Sequence, residues 1–244
     1  MSETPKASKS KKSRVISTVL SPALQLWLRS QVEQIEALQF KLIGGDRQIL
    51  SGHIPTVTVT ANHAVYQGLH LSKIQLEGTD IRVNLGQVIK GKPLQLLAPV
   101  PVVGQLLLQQ ADLQASLQAP LLSKALTEVL DTLLKSDETT NLVDYIRSKQ
   151  VTWQQIDIDA EQLTLRGNLA DADLRTAQVV IRAGLQLVTP SVLQLNPLQI
   201  QIEPVLPAKN FAAFQIDLGR DVELQELTLS SGQLICSGRL NVIP

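Results

Sequence analysis

The sequence predicts an α+β protein that is mostly antiparallel β, with a long curved sheet or elongated barrel wrapped around one long amphipathic helix. Three observations favour this class. Apolar and polar residues alternate over long segments in both halves of the chain, as in strands with one wet face. Between these halves lies a stretch whose apolar residues have helical spacing. The apolar residues are aliphatic, since only 3% of the 244 residues are aromatic.

The first fourteen residues are predicted to be a disordered basic tail, followed by one domain over residues 15–244. Glu3 is the only acid in the tail, and its basic residues are Lys6, Lys9, Lys11, Lys12 and Arg14. Such a tail is attracted to anionic lipid headgroups by about 1 kcal/mol per basic residue near the surface. A solubilising leader without a partner explains the composition equally well.

The first helix is predicted to begin with Ser21 as N-cap and Pro22 at the first helical position, and to run to about Ile35. An apolar stripe continues upstream of this cap. The whole segment either packs on a sheet or places its first part in a membrane interface. The residues predicted to contact a membrane are Lys9, Lys11, Lys12, Arg14, Ile16 and Leu20.

An antiparallel meander is predicted over residues 37–85, where the apolar period becomes two. Val57 and Val59 alternate with threonines. Between Leu71 and Ile74 the alternation slips by one residue, which indicates a β-bulge. The meander should have one aliphatic face and one wet face.

Two helices are predicted in the middle of the chain, a short one over residues 111–117 and a longer one over 120–134. The longer helix carries one broad leucine stripe, which needs an apolar surface to lie on. Its apolar positions are Leu121, Leu122, Ala125, Leu126, Val129, Leu130, Leu133 and Leu134.

Strand periodicity returns at about Val151, and residues 173–188 form a long apolar run. A loop or helical patch is predicted around Phe211 and Phe214. The chain should end in a hairpin with arms at about 223–230 and 233–242. Because strands precede and follow the helices, we expect the two halves to share one continuous sheet. Its aliphatic face and the long helix either fill each other as a plain core, which the periodicity favours, or stand apart as an apolar slot.

No catalytic residue, metal site or cofactor is predicted, so the protein is not expected to be an enzyme. The spacing of His53, His63 and His70 matches no zinc motif. The single cysteine, Cys236, is best explained as a small core residue. Three acids at period two should share a solvated strand face; they are Asp157, Asp159 and Glu161.

Nucleic acid is not an expected partner, because 22 basic residues balance 22 acidic ones and few aromatic side chains are available for stacking. No segment approaches the roughly 18 apolar residues of a membrane span. The basic start is also not followed by a signal-peptide core. These features predict a cytoplasmic protein, soluble or attached peripherally to a membrane.

Five segments in order carry a resemblance to a known family. They are residues 20–32 (LSPALQLWLRSQV), 44–52 (GGDRQILSG), 64–71 (AVYQGLHL), 84–88 (NLGQV) and 91–94 (GKPL). Together they resemble the LmeA-like phospholipid-binding family, in the form common in photosynthetic bacteria.

The resemblance implies an elongated β structure with a hydrophobic tunnel or groove, similar to half of a tubular lipid-binding fold. It also implies phospholipid as the partner and a lipid-binding or lipid-transfer role at a membrane surface. The alternative is a non-catalytic structural or adaptor protein attached to a membrane, with a filled core and protein partners. The residues predicted to line the slot are Val57, Val59, Leu69, Leu71, Leu126, Val129, Leu130, Val179, Ile181 and Leu185.

Overall fold

The computed structural model describes residues 20–135, 150–170 and 176–244. The basic tail and residues 136–149 and 171–175 lie outside these ranges. From the N-terminus the elements are α1 (Ser21–Ser30), β1 (Gln34–Ile43), α2 (Asp46–Leu50), β2 (His53–Tyr66), β3 (Leu69–Arg82), α3 (Leu85–Val88), β4 (Val100–Gln109), α4 (Gln110–Ser116), α5 (Pro120–Lys135), β5 (Gln150–Ile158), β6 (Leu163–Ala170), β7 (Thr176–Thr189), β8 (Val192–Glu203), β9 (Leu206–Phe211), β10 (Phe214–Asp217), β11 (Val222–Ser230) and β12 (Gln233–Val242).

The strands form two antiparallel sheets. The first has the order β1-β2-β3-β4-β12-β11, so the C-terminal hairpin joins the N-terminal meander. The second has the order β10-β8-β7-β6-β5, with β9 also paired to β8. Mostly antiparallel β structure is therefore confirmed, whereas one continuous sheet is not formed. Within the described residues neither sheet closes into a barrel.

Each sheet has its own hydrophobic core. The first core joins the first sheet to α1, α2 and the connection between β3 and β4, with Leu20, Ile49, Ile54, Leu85 and Leu94 among its buried residues. The second core joins the second sheet to the end of α5 and includes the buried Trp153. Two aliphatic faces are thus covered by different helices, and no single helix serves both.

Helix α4 lies between the two sheets and hydrogen-bonds to both. Gln110 and Gln114 accept the backbone N–H groups of Ile158 and Ile156, each at 2.9 Å, along the free edge of β5. On its other side, the Ser116 hydroxyl accepts the backbone N–H of His70 at 2.8 Å. The helix therefore covers the β5 edge, which would otherwise expose unpaired backbone groups, and joins it to β3.

The first helix is shorter than predicted. It ends at Ser30, and β1 begins at Gln34, four residues later. Ile35 pairs with Ala64 of β2 and not with a preceding helical turn. Cross-strand pairing with the meander outweighs the helical spacing of the apolar residues.

The predicted bulge between Leu71 and Ile74 is wrong, because the pairs of β2 with β3 run without a register shift. Leu71 and Ile74 simply lie on opposite faces of one regular strand. The first residues of β3 have no partner in β4, whose pairing starts at Lys73, and they meet α4 instead. The register shifts of this region occur between β1 and β2, close to His63, which has a φ of 46°.

The patch around Phe211 and Phe214 is also different from the prediction. Phe211 ends the strand β9 and Phe214 begins the strand β10. Both strands pair with β8, one after the other along the same edge. This edge pairing is non-local, so a segment that reads as irregular in isolation becomes strand.

Candidate functional site

The leucine stripe of α5 is buried unevenly along the helix. Near the C-terminal end, Leu130, Leu133 and Leu134 are almost completely enclosed by the second core. Nearer the N-terminal end, Leu122 and Leu126 are only half-buried against that core, and Leu121 is exposed. The stripe therefore passes from closed core to accessible apolar surface within one helix.

A second set of half-buried apolar residues forms a rim on the second sheet. Leu185, Phe211, Phe214 and Ile216 all pack against the same core without being enclosed by it. Phe214 lies opposite the buried Leu195 on β8. The accessible apolar material thus belongs to α5, to Leu185 on β7 and to the edge strands β9 and β10.

A cleft of about 620 Å³ opens at the N-terminal end of α5. Pro120 and Leu121 form one side of it. The side chains Glu33, Gln67 and Gln118 line the rest, together with Gly68 and Ala119. The cleft is open to solvent and joins polar groups to the accessible end of the leucine stripe.

The turn between β2 and β3 is held against α5 by a close backbone approach. A side chain at Gly68 would place its Cβ 2.9 Å from the Cβ of Ala119, and the φ of Gly68 is +77°. Glycine is therefore required at position 68 for two reasons: the backbone has a positive φ, and the contact with Ala119 leaves no room for a Cβ. Ala119 is buried in this contact, so one wall of the cleft is fixed.

A smaller cleft of about 330 Å³ lies beside it, between β1, β2, β3 and α4. Its lining includes the imidazoles of His63 and His70 and the carboxylates of Glu36 and Asp112. The Asp112 carboxylate already accepts a short hydrogen bond from the buried Ser72 hydroxyl. This cleft is polar and can exchange hydrogen bonds with a ligand, but it offers little apolar surface.

The ten residues predicted to line a slot separate into three groups. Val57 and Val59 belong to the first core. Leu69 and Leu71 lie at the start of β3, where Leu71 borders the smaller cleft. The remaining six meet at the second core, with three enclosed and three half-buried; they are Leu130, Val179, Ile181, Leu126, Val129 and Leu185.

Sequence reasoning missed the aromatic part of the rim. Phe214 and Ile216 alternate with Gln215 and Asp217, which is a short period-two signal. Four residues were too few to distinguish it from a loop. The larger cleft gave no signal in the sequence, because its walls come from three separated segments.

Of the residues predicted to contact a membrane, only Leu20 is described. Its side chain is completely buried in the first core, so it is not available at the surface. The other residues of that set lie outside the described ranges; they are Lys9, Lys11, Lys12, Arg14 and Ile16. Within the described ranges, no helix combines the length and the apolar character needed to cross a membrane.

The acidic residues and the cysteine that the sequence offered as candidates take part in the fold. Asp157 accepts a short hydrogen bond from the Arg166 guanidinium, whereas Asp159 lies beyond the end of β5. Cys236 is half-buried, and burial raises the pKa of its thiol. The thiol is therefore less reactive at neutral pH than that of an exposed cysteine. Among the described residues, no three His, Cys, Asp or Glu side chains are grouped as metal ligands.

Comparison with known families gives one result. The model of the LmeA-like phospholipid-binding family matches residues 11–239. This match spans both sheets, α4 and α5, so it includes the accessible end of the leucine stripe and both clefts. No curated protein and no solved structure matches the chain.

Proposed function

Since this chain belongs to the LmeA-like phospholipid-binding family, we propose that it binds one phospholipid at the accessible end of the α5 leucine stripe. The observation that carries this proposal is the uneven burial of the stripe, which leaves apolar side chains accessible next to a cleft lined by both polar and apolar residues. The family description names binding and no reaction, which favours a binding protein over an enzyme.

The acyl chain lies on the half-buried residues of the second core. Leu122, Leu126 and Val129 provide the helical side of this surface. The enclosed Leu130, Val179 and Ile181 form the floor beneath them. Each methylene transferred from water contributes about 0.8 kcal/mol, so partial burial of one chain gives useful affinity.

The headgroup lies in the larger cleft at the N-terminal end of α5. Gln67 and Gln118 offer amide donors there, while Glu33 brings a carboxylate. Gln118 also donates to the backbone oxygen of Trp153, which fixes its side chain. A cleft with polar groups at one end of an apolar stripe suits an amphipathic ligand, because the headgroup meets polar side chains and the acyl chain meets apolar ones.

The place of action is a membrane surface, where the protein collects or delivers its lipid. Lys9, Lys11, Lys12 and Arg14 favour this by their charge, since anionic leaflets attract basic segments. Because the lipid is held on an accessible surface of the protein, transfer between membranes is the role that we propose for the binding.

Replacing Leu126 with Gln is expected to lower the affinity for phospholipid by about tenfold or more. An amide without a hydrogen-bond partner in an apolar site costs about 1–3 kcal/mol, and 1.4 kcal/mol corresponds to about tenfold. The measurement is calorimetric titration of the full-length chain with a short-chain phosphatidylcholine below its micellar concentration, which needs no bilayer.

Lys124→Gln is the matched control, because Lys124 lies on the face of the helix opposite the stripe and its side chain is 79% exposed. It should bind as the unchanged chain does. Leu126→Phe tests the same site without adding polarity, and it should weaken binding by occupying the path of the acyl chain. If Leu126→Gln and Leu126→Phe both fold and bind with unchanged affinity, the lipid does not lie on this stripe.

A further inference from the structure

Five exposed apolar side chains gather at one end of the first sheet. Because neighbouring strands are antiparallel, β1 and β12 end where β2 and β4 begin, with Ile43 opposite Thr56 and Asn241 opposite Pro101. The connection between β1 and β2 and the connection between β3 and β4 lie at this end. We name this surface the apolar end; its residues are Ile43, Leu50, Ile89, Leu97 and Ile243.

These side chains are exposed although their neighbours in sequence are buried. Ile89 is 55% exposed beside Val88 at 6%, and Leu50 is 44% exposed beside Ile49 at 2%. Leu97 is 61% exposed, and its backbone N–H donates to the Arg82 oxygen at 2.8 Å. Buried neighbours and a backbone hydrogen bond therefore anchor the residues of the apolar end. Their side chains are exposed because of the fold and not because of poor packing.

The long connection between β3 and β4 is held in shape by one buried amide. Asn84 donates from Nδ2 to the Pro93 oxygen at 3.0 Å and accepts the Gln95 N–H with Oδ1 at 2.8 Å. The backbone N–H of Val83 also donates to the Gly52 oxygen at 2.9 Å. Ile89 and Leu97 thus occupy fixed positions beside the connection that carries Leu50.

The charges around the apolar end are mainly basic. Residues 41–52, 80–99, 220–223 and 239–243 contain seven basic residues and four acids, and the acid Asp80 pairs with His53 at 2.7 Å. The exposed Lys90 and Lys92 flank Ile89 and form no ion pair with any described acid. Exposed apolar residues rimmed by unpaired lysines are typical of surfaces that meet anionic lipid.

The basic N-terminal segment joins the structure at the same core. Leu20 is the first described residue, and its side chain is buried in the cluster that also holds Ile49, Val88 and Leu94. These three residues anchor the connections that present Leu50, Ile89 and Leu97. The nineteen residues before Leu20 contain five basic residues and one acid.

We propose that the apolar end of the first sheet docks on an anionic phospholipid bilayer, with Ile89 and Leu97 entering the interface and Lys90 and Lys92 meeting the headgroups. This inference deepens the proposed function, on which it rests for the presence of a membrane, and it separates the surface that docks from the site that holds lipid. The docking surface belongs to the first sheet, whereas the lipid site belongs to the second core.

The test is sedimentation of the full-length chain with vesicles that contain phosphatidylcholine and phosphatidylglycerol in equal parts. The double variant Ile89→Glu with Leu97→Glu should bind these vesicles at least about tenfold more weakly, because it removes two inserted side chains and adds two negative charges. Lys90→Gln with Lys92→Gln should weaken binding roughly twentyfold, but it should leave binding to pure phosphatidylcholine unchanged.

Val205→Glu is the control, because Val205 is an exposed apolar residue (40%) in the turn after β8 of the other sheet. It should sediment with vesicles as the unchanged chain does. Titration with monomeric short-chain phosphatidylcholine should be normal for the docking variants, whereas Leu126→Gln should fail there and still sediment. Unaltered sedimentation of Ile89→Glu with Leu97→Glu, an equal loss in Val205→Glu, or no vesicle binding by the unchanged chain would overturn the proposal.

Discussion

Replacing Leu130 with Asp is expected to unfold the second core. Leu130 is completely buried among the residues of that core. Keeping the new carboxyl protonated at pH 7 costs about 4 kcal/mol, from an ordinary aspartate pKa of about 3.9. Losing the leucine adds about 2–5 kcal/mol. The sum is comparable with the whole stability of an ordinary domain, about 5–15 kcal/mol. Urea unfolding followed by circular dichroism measures the loss.

The sign of the pH dependence follows from burial, which raises the pKa of the introduced carboxyl in the folded state above its unfolded value. The charge-related part of the destabilisation therefore grows as the pH rises above about 4, amounts to about 4 kcal/mol at pH 7, and vanishes as the pH falls below about 4. Ala125→Asp, on the exposed side of the same helix, should cost only about 1 kcal/mol or less. A Leu130→Asp protein that stayed folded and lost only lipid binding would mean that Leu130 lines an open slot and not a closed core.

Replacing Trp153 with Ala is expected to destabilise the protein by about 3–5 kcal/mol, the usual cost of deleting a large buried aromatic side chain. Trp153 is completely buried, and its indole N–H donates to the Thr127 hydroxyl at 3.2 Å, which connects β5 to α5. Gly167 leaves room for the ring, since a Cβ there would lie 2.9 Å from it. The measurement is the shift of the urea midpoint at constant slope.

Two further variants divide this effect into its parts. Thr127→Val removes the acceptor of the indole N–H, together with the bond that the hydroxyl donates to the Ser123 oxygen at 2.8 Å. It should cost about 1–3 kcal/mol, because the indole N–H is left unsatisfied. Trp27→Ala should cost less than Trp153→Ala, since Trp27 is only half-buried against the first core. Equal losses for the two tryptophans would contradict the placement of Trp153 at the centre of the second core.

Elements with strong local signals could be predicted from the sequence. The C-terminal hairpin was expected at 223–230 and 233–242, and the strands are Val222–Ser230 and Gln233–Val242. The helix expected from Pro120 to about Leu134 spans Pro120–Lys135. In both cases the spacing of the apolar residues and the turn or helix-start residues at the ends indicate the same element. Neighbouring residues alone therefore determine it.

The arrangement of strands into two sheets could not be predicted, because pairing partners lie far apart in the chain. β12 pairs with β4, with Gln233 opposite Gln109. Alternation specifies which face of a strand is apolar and not which strand lies beside it. The same limit explains β9 and β10, which become strands through their partner β8.

The sequence predicted the apolar character of the candidate site but not its position in the fold. Leu126, Val129 and Leu130 follow each other on one stripe, yet Leu130 is enclosed while the other two are half-buried. That gradient depends on where the sheet ends beneath the helix, which periodicity does not contain. The larger cleft depends on the contact of Gly68 with Ala119, two residues that no local pattern connects.

The most direct test of the central claim is the lipid content of the protein itself. The full-length chain is purified under native conditions and extracted with organic solvent, and the extract is analysed by mass spectrometry. We expect phospholipid in near-equimolar amount, because we propose that one molecule binds at the accessible end of the leucine stripe. A protein that carries no phospholipid and also takes none up from vesicles would contradict the account and would favour an adaptor with a filled core.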